Sequence, residues 1–158
     1  TEGKKDPETH RLLAQICRHH KDLPLAFECL QRAFTYGPSD EENVEPFYFI
    51  GSALKRYREM VEPLKNFVLH KEDHSIAWGR LSSIHYHLGE EFLARESAEK
   101  ALRIDPKNPV AKGILNRLNT AKTNSPKLEE AVVESTTGLT LDPANALAGI
   151  LDSTSLVW

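Results

Sequence analysis

At 158 residues, with apolar side chains at 40%, charged ones at 27% and a net charge of −3, the chain has the composition of one soluble domain, and that balance does not demand nucleic acid as a partner. No run approaches the roughly 20 apolar residues that span a bilayer, and "TEGKKDPETH" lacks the apolar core of a signal peptide. Cys17 and Cys29, twelve apart and without the close spacing of a redox or zinc motif, are expected as buried, inert thiols in a reducing location, cytoplasmic or nuclear.

The chain starts without Met and stops at "STSLVW", as a piece of a longer protein would, and residues 1–6 and 153–158 are expected to be flexible ends. Between them, a single domain is predicted over 7–152, built from repeated units. The first unit, about 7–40, breaks at "HHKD", where His19 and His20 suit the negative end of a helix dipole, and resumes in "LAFECLQRAFTYGP" (25–38). That stretch returns 68 residues later as "LARESAEKALRIDP" (93–106), with Leu25 on Leu93, Ala26 on Ala94, Ala33 on Ala101 and Pro38 on Pro106. Because 68 is twice 34, a copy is expected between the two.

That middle unit is placed at about 44–74. Laying "FYFIGSALKRY" (47–57) on "AWGRLSSIHYHLG" (77–89) pairs Phe47 with Trp78, Ile50 with Leu81 and Gly51 with Ser82, a step of 31 that makes the unit three residues short. On the same alignment Pro63 takes the place of Ala26 and Ala94, in the first turn of a second helix where proline is tolerated. The third unit, about 75–108, breaks at "HLGE"; the fourth, about 109–143, breaks at "TNSP" and carries "LEEAVVESTTGLTLDP" (128–143) as its second half. The step of 37 from Asp105 to Asp142 gives that unit three extra residues, and "ANALAGILD" opens a closing helix at about 144–152.

Within each unit the apolar spacing is helical: Trp78, Leu81, His85 and Leu88 recur at three and four residues, as do Ala94, Ala98, Ala101 and Leu102. Asn108 before Pro109 and Ser125 before Pro126 put an oxygen acceptor ahead of a helix-starting proline. Each unit is therefore a helical hairpin, too small to bury its own apolar face and stable only when stacked. The expected architecture is an all-α, right-handed superhelical array of about four hairpins.

The stretch "AWGRLSSIHYHLGEEFLARESAEKALRIDPKNP" (77–109), with its aromatic, its Leu, its turn Gly, two small Ala positions and closing "IDP", resembles a tetratricopeptide repeat. The resemblance recurs over roughly residues 7–143. It implies a scaffold for protein–protein interaction whose first helices line a concave groove.

The residues give no sign of catalysis, metal or cofactor. His70 and His74 of "HKEDH" stand four apart but straddle a helix end with no third ligand, and His85 and His87 lie on different faces of one helix. No phosphate loop, nucleophile elbow or Cys–His pair is present, and the carboxylates of "SDEENVE", at an inter-unit loop, are read as solvation and helix-start charges.

Taking the face opposite the packing stripe gives Glu8, Arg11, Gln15 and Arg18, then Tyr48, Phe49, Ser52, Lys55 and Arg56. Gly79, Arg80, Ser83, Tyr86 and His87 follow in the third unit, and Asn116 and Arg117 in the fourth. From these, the partner-binding groove is assigned to Arg11, Gln15, Arg18, Tyr48, Phe49, Lys55, Arg80, Tyr86, His87 and Arg117. Its cations and rings suit an extended, acidic or aromatic-containing peptide. Relatives of the resembled family that grip chaperone C-terminal tails use Lys and Asn, then Asn, then Lys and Arg, where this chain has Arg11 and Gln15, then Phe49, then Ile76 and Arg80; that partner is not expected. An adaptor arm of a larger enzyme or co-chaperone assembly, such as a peptidyl-prolyl isomerase, and a single-stranded RNA binder are the alternative readings. Changing Arg80→Glu with Tyr48→Ala is expected to weaken partner capture and leave melting unchanged.

Overall fold

The computed structural model describes residues 5–124, and its fold is set by local signals that start and stop helices. Asp6 accepts the backbone N–H groups of Glu8 and Thr9 just ahead of Pro7 and opens α1 (Pro7–His19); Asp22 does the same for Leu25 and opens α2 (Leu23–Tyr36). Asp40 caps a 3-10 turn, Glu41–Asn43, which leads into α3 (Val44–Ala53) and then α4 (Tyr57–His70). His74 Nδ1 accepts the Ala77 N–H at the start of α5 (Ser75–His87), which turns into α6 (Glu91–Ile104). Asn108 accepts the Ala111 N–H at 3.0 Å and opens α7 (Pro109–Asn124), as its place before Pro109 predicts. The described residues form three helical hairpins, the further helix α7 and the turns between them, and none of these helices is long and apolar enough to cross a membrane. The compact unit considered below ends at Thr120, and the last residues of α7 belong to a second unit.

The helix starts correct the sequence register. First helices begin at 7, 41, 75 and 109, counting the 3-10 turn as the opening turn of the second, and second helices at 23, 57 and 91, so that every step is 34. The middle unit therefore starts at 41 rather than 44 and lacks nothing. Phe47 aligns with Leu81, Val44 with Trp78 and Gly51 with His85, while Met60 rather than Pro63 stands where Ala26 and Ala94 do. Pro63 lies inside α4, not in its first turn, so that helix continues through it without the bond an N–H would give Glu59. The second half of the fourth unit, Ser125, the closing helix at 144–152 and the end 153–158 lie outside the described residues.

All three hairpins turn through the same device. Lys21, Lys55 and Gly89 take left-handed backbone with φ of 63°, 56° and 75°. The next residue returns its N–H to a carbonyl five back: Asp22 to Cys17, Arg56 to Gly51, Glu90 to His85. Lysine is strained there and glycine is not. Lys21→Gly and Lys55→Gly are each expected to stabilise the fold by about 1 kcal/mol, read as a higher urea midpoint at constant slope; a lower midpoint for both would refute the strain argument.

Stacking buries two apolar groups. The larger is built on Phe27, Leu30, Phe34, Phe47, Met60, Leu64 and Phe67, all within the first four helices, and reaches Leu81 and Ile84 of α5. The smaller joins Ala94, Ala98 and Ala101 of α6 to Ala111, Ile114 and Leu118 of α7, and Trp78 packs against both. Gly51 lets α3 and α4 meet: a Cβ there would fall 2.9 Å from Met60 Cγ and from Phe27 Cε2.

Candidate functional site

The face formed by the first helices holds most of the residues assigned from sequence, but many of its cations are already engaged. Arg11 sends Nη1 to Asp40 Oδ2 at 2.6 Å and Nη2 to Glu42 Oε2 at 2.7 Å. Arg80 makes a two-pronged pair with Glu45, Nε to Oε1 at 2.9 Å and Nη2 to Oε2 at 2.7 Å, and lies 4.4 Å from the Tyr48 ring centre and 5.0 Å from that of Phe49. The hydrogen bonds that Arg80 donates to Glu45 hold its guanidinium above its ordinary pKa. The Tyr48 and Ser83 hydroxyls share a hydrogen bond of 2.9 Å, so this cluster ties α3 to α5. "SDEENVE" forms the capped first turn of the middle unit, so its carboxylates are helix-start charges as read from sequence, but beyond facing solvent they reach Arg11, Lys71 and Arg80.

A second group gathers further along. His87 stacks on Tyr57 with ring centres 4.5 Å apart and lies edge-on to Tyr86, over whose ring Arg117 sits at 5.8 Å. Lys55 is corrected: it occupies the tight turn after α3 rather than the helix face, and Arg56 beside it leans over the Phe27 ring at 5.4 Å. Gln15 and Arg18 are exposed on α1, and the Arg18 side chain makes no hydrogen bond or ion pair among the described residues.

Arg18 borders a hollow of about 410 Å³ between α1 and α3, lined by Leu23, Glu45, Pro46, Ile50 and Ala53 and by Phe49, a residue 57% exposed. Sequence reasoning missed Glu45, Pro46 and Ile50 here. The signal that finds them is the 34-residue register, which sets Glu45 in the place of Arg11 and Phe49 in that of Gln15.

Charge on this face is divided along the helix axes. Asp40, Glu41, Glu42 and Glu45 surround the helix starts, while Arg18, His19, His20, Lys21, Lys55 and Arg56 surround the helix ends and turns, as the dipoles favour. On the opposite side, buried His85 donates through Nδ1 to Glu90 at 2.6 Å, and Arg58 reaches the same carboxylate at 2.7 Å. These two bonds, that from His85 foremost, hold Glu90 below the usual carboxylate range.

Other sequence candidates separate. His70 closes α4 with Nδ1 on the Asn66 carbonyl, and His74 caps α5, so the pair sits on different elements. No three His, Cys, Asp or Glu side chains converge among the described residues. Cys29 is buried, which raises its thiol pKa, whereas Cys17, expected to be buried, is only half-buried.

No protein-family model matches the chain, and no curated protein matches it in sequence. Solved structures do share its fold. The first TPR domain of Spaghetti (RPAP3), bound to the HSP90 peptide SRMEEVD, superposes with a TM-score of 0.64 at 14% identity, over 77% of this chain and 96% of that one. The Arabidopsis OM64 TPR domain gives 0.61 at 16% identity over 73% and 95%, and MamA 0.64 at 17% over 75% and 70%. The chain thus has the tetratricopeptide-repeat fold.

Proposed function

We propose that this tetratricopeptide-fold chain is a non-catalytic, cytoplasmic interaction scaffold that holds an extended partner segment along its first-helix face. An apolar or aromatic side chain of the segment enters the hollow beside Phe49, and a carboxylate meets Arg18. The observation that carries this reading is the exposed guanidinium of Arg18, without a partner among the described residues, at the rim of an apolar hollow of about 410 Å³. Arg11 and Arg80 contribute less attraction for an acidic segment than a count of charges suggests, since Asp40, Glu42 and Glu45 neutralise them.

Peptide binding by two similar domains, one with SRMEEVD and one with the HSP70 peptide SGPTIEEVD, supports a peptide as the class of partner. A chaperone tail remains a poor fit. The middle-unit place of the tail clamp carries Phe49, whose side chain offers no hydrogen-bond donor, and Arg80 is held by Glu45. The expected ligand therefore joins an aromatic or apolar residue to a carboxylate lying toward the basic turns.

The test is a fluorescence-anisotropy screen of the full chain against short peptides that combine one aromatic residue with one or two acidic ones. Arg18→Glu and Phe49→Ala are each expected to weaken the best peptide about 10-fold or more, the range of one lost charged or aromatic contact, without moving Tm by more than a degree or two. Unchanged affinity in both variants would remove the groove reading. Tighter binding of oligouridine than of any peptide, lost with Arg18→Glu, would favour single-stranded RNA instead.

A further inference from the structure

The outer side of α1 carries the residues that the inner first helices bury against the unit before them. Counted from unit starts at 7, 41 and 75, the seventh residue is Leu13, Phe47 or Leu81 and the tenth is Ile16, Ile50 or Ile84. Phe47, Ile50, Leu81 and Ile84 are 0%, 6%, 2% and 0% exposed. Leu13 and Ile16 are 42% and 54% exposed, with Leu12 beside them at 51%.

What covers the inner positions is known in detail. Phe47 lies between Phe27 and Phe34, each 4.9 Å away between ring centres and seven residues apart on α2. The matching residues of α4 are Val61 and Val68, which line one wall together with Leu81 of α5. Phe27 and Phe34 thus straddle the seventh residue of the next unit, and Val61 and Val68 hold the same register places beside Leu81; at the third junction, α6 offers Arg95 and Leu102 there to Leu115 of α7. At α1 the same seventh and tenth positions stand exposed, with no second helix over them among the described residues.

We propose that the outer face of α1 docks a partner helix of this second-helix type, amphipathic, about four turns long and bearing aromatic or branched apolar residues seven apart around Leu13. The array is then extended by one stacked unit on that side. Continuity with the two inner junctions favours this occupant, because the same register positions are satisfied twice in the same way. A two-fold pairing of α1 with a second copy is disfavoured, because it sets a first helix against a first helix, whereas at the inner junctions a second helix covers the seventh position.

The experiment grafts a copy of residues 40–73 in place of residues 1–5, joined to Asp6, which keeps the α1 cap and the 34-residue step and sets a copy of α4 against Leu13. The graft is expected to raise Tm by about 5 °C or more, and Val61→Asp with Val68→Asp in the grafted copy alone should abolish that gain. A graft that leaves Tm unchanged, or a gain that survives the aspartates, overturns the proposal. Sedimentation of the unmodified chain supplies the other arm: a dimer that Leu13→Asp dissociates would show a second copy as the occupant and would equally overturn it.

Discussion

Phe47→Ala is expected to destabilise the fold by about 3–5 kcal/mol, the range for deleting a fully buried aromatic side chain. Its ring is stacked 9° from parallel on Phe27 and tilted against Phe34, which in turn meets Phe67 edge-on at 6.3 Å. The truncation therefore opens a void at the junction where α3 leans on α2, between two units rather than within one. Since a stacked array is held by nearest-neighbour interfaces, that junction is where cooperativity should fail first. Urea unfolding followed by circular dichroism should show a lower midpoint and a shallower slope as the first hairpin uncouples. Phe49→Ala, two residues along, should change stability by less than about 0.5 kcal/mol, because its ring faces solvent. Similar losses in the two variants would mean that the packing of α3 on α2 is not the principal support of this region.

The hairpins were legible in the sequence because their signals are local. Asp6 before Pro7 and Asn108 before Pro109 each declare a helix start within a few residues, and the alanines of α6 announce a close-packed face. The register of the middle unit was not legible. Its first turn is 3-10, its fourth residue is Val44 rather than an aromatic, and Phe47 three residues later imitates Trp78 and draws the alignment to itself. Pro63 then fell on the wrong turn as a consequence. For the site, residue types on the face could be collected from periodicity, but their pairing could not. Glu45 finds Arg80 across 35 residues and Arg11 finds Asp40 across 29, contacts that exist only once consecutive units are stacked in register. Lys55 was assigned to a helix that ends two residues earlier, since nothing local distinguishes a lysine in a left-handed turn from one on a helix face.

Arg80→Glu is expected to lower stability by about 1–3 kcal/mol, so the melting temperature cannot stay fixed as charge counting suggested. The Arg80 side chain is only 17% exposed and is held on one side by both oxygens of Glu45 and on the other by the faces of Tyr48 and Phe49. A glutamate there faces a second carboxylate and the electron-rich ring faces in a partly dry setting. Glu45 is 39% exposed, which screens the repulsion and keeps the loss below that of a fully buried pair. A double-mutant cycle separates the pair from its surroundings. Arg80→Met keeps the apolar stem over the rings, Glu45→Gln removes the charge, and their coupling is expected at about 1 kcal/mol. The exchange of Glu45→Arg with Arg80→Glu should recover part of the loss, and coupling near zero would show that the pair is fully screened. The same cycle sorts the arginines of this face by role. Arg80 variants should lose partner binding in proportion to lost α3–α5 geometry, whereas Arg18→Glu should lose binding with the fold intact, because Arg18 has no such bonds among the described residues to give up.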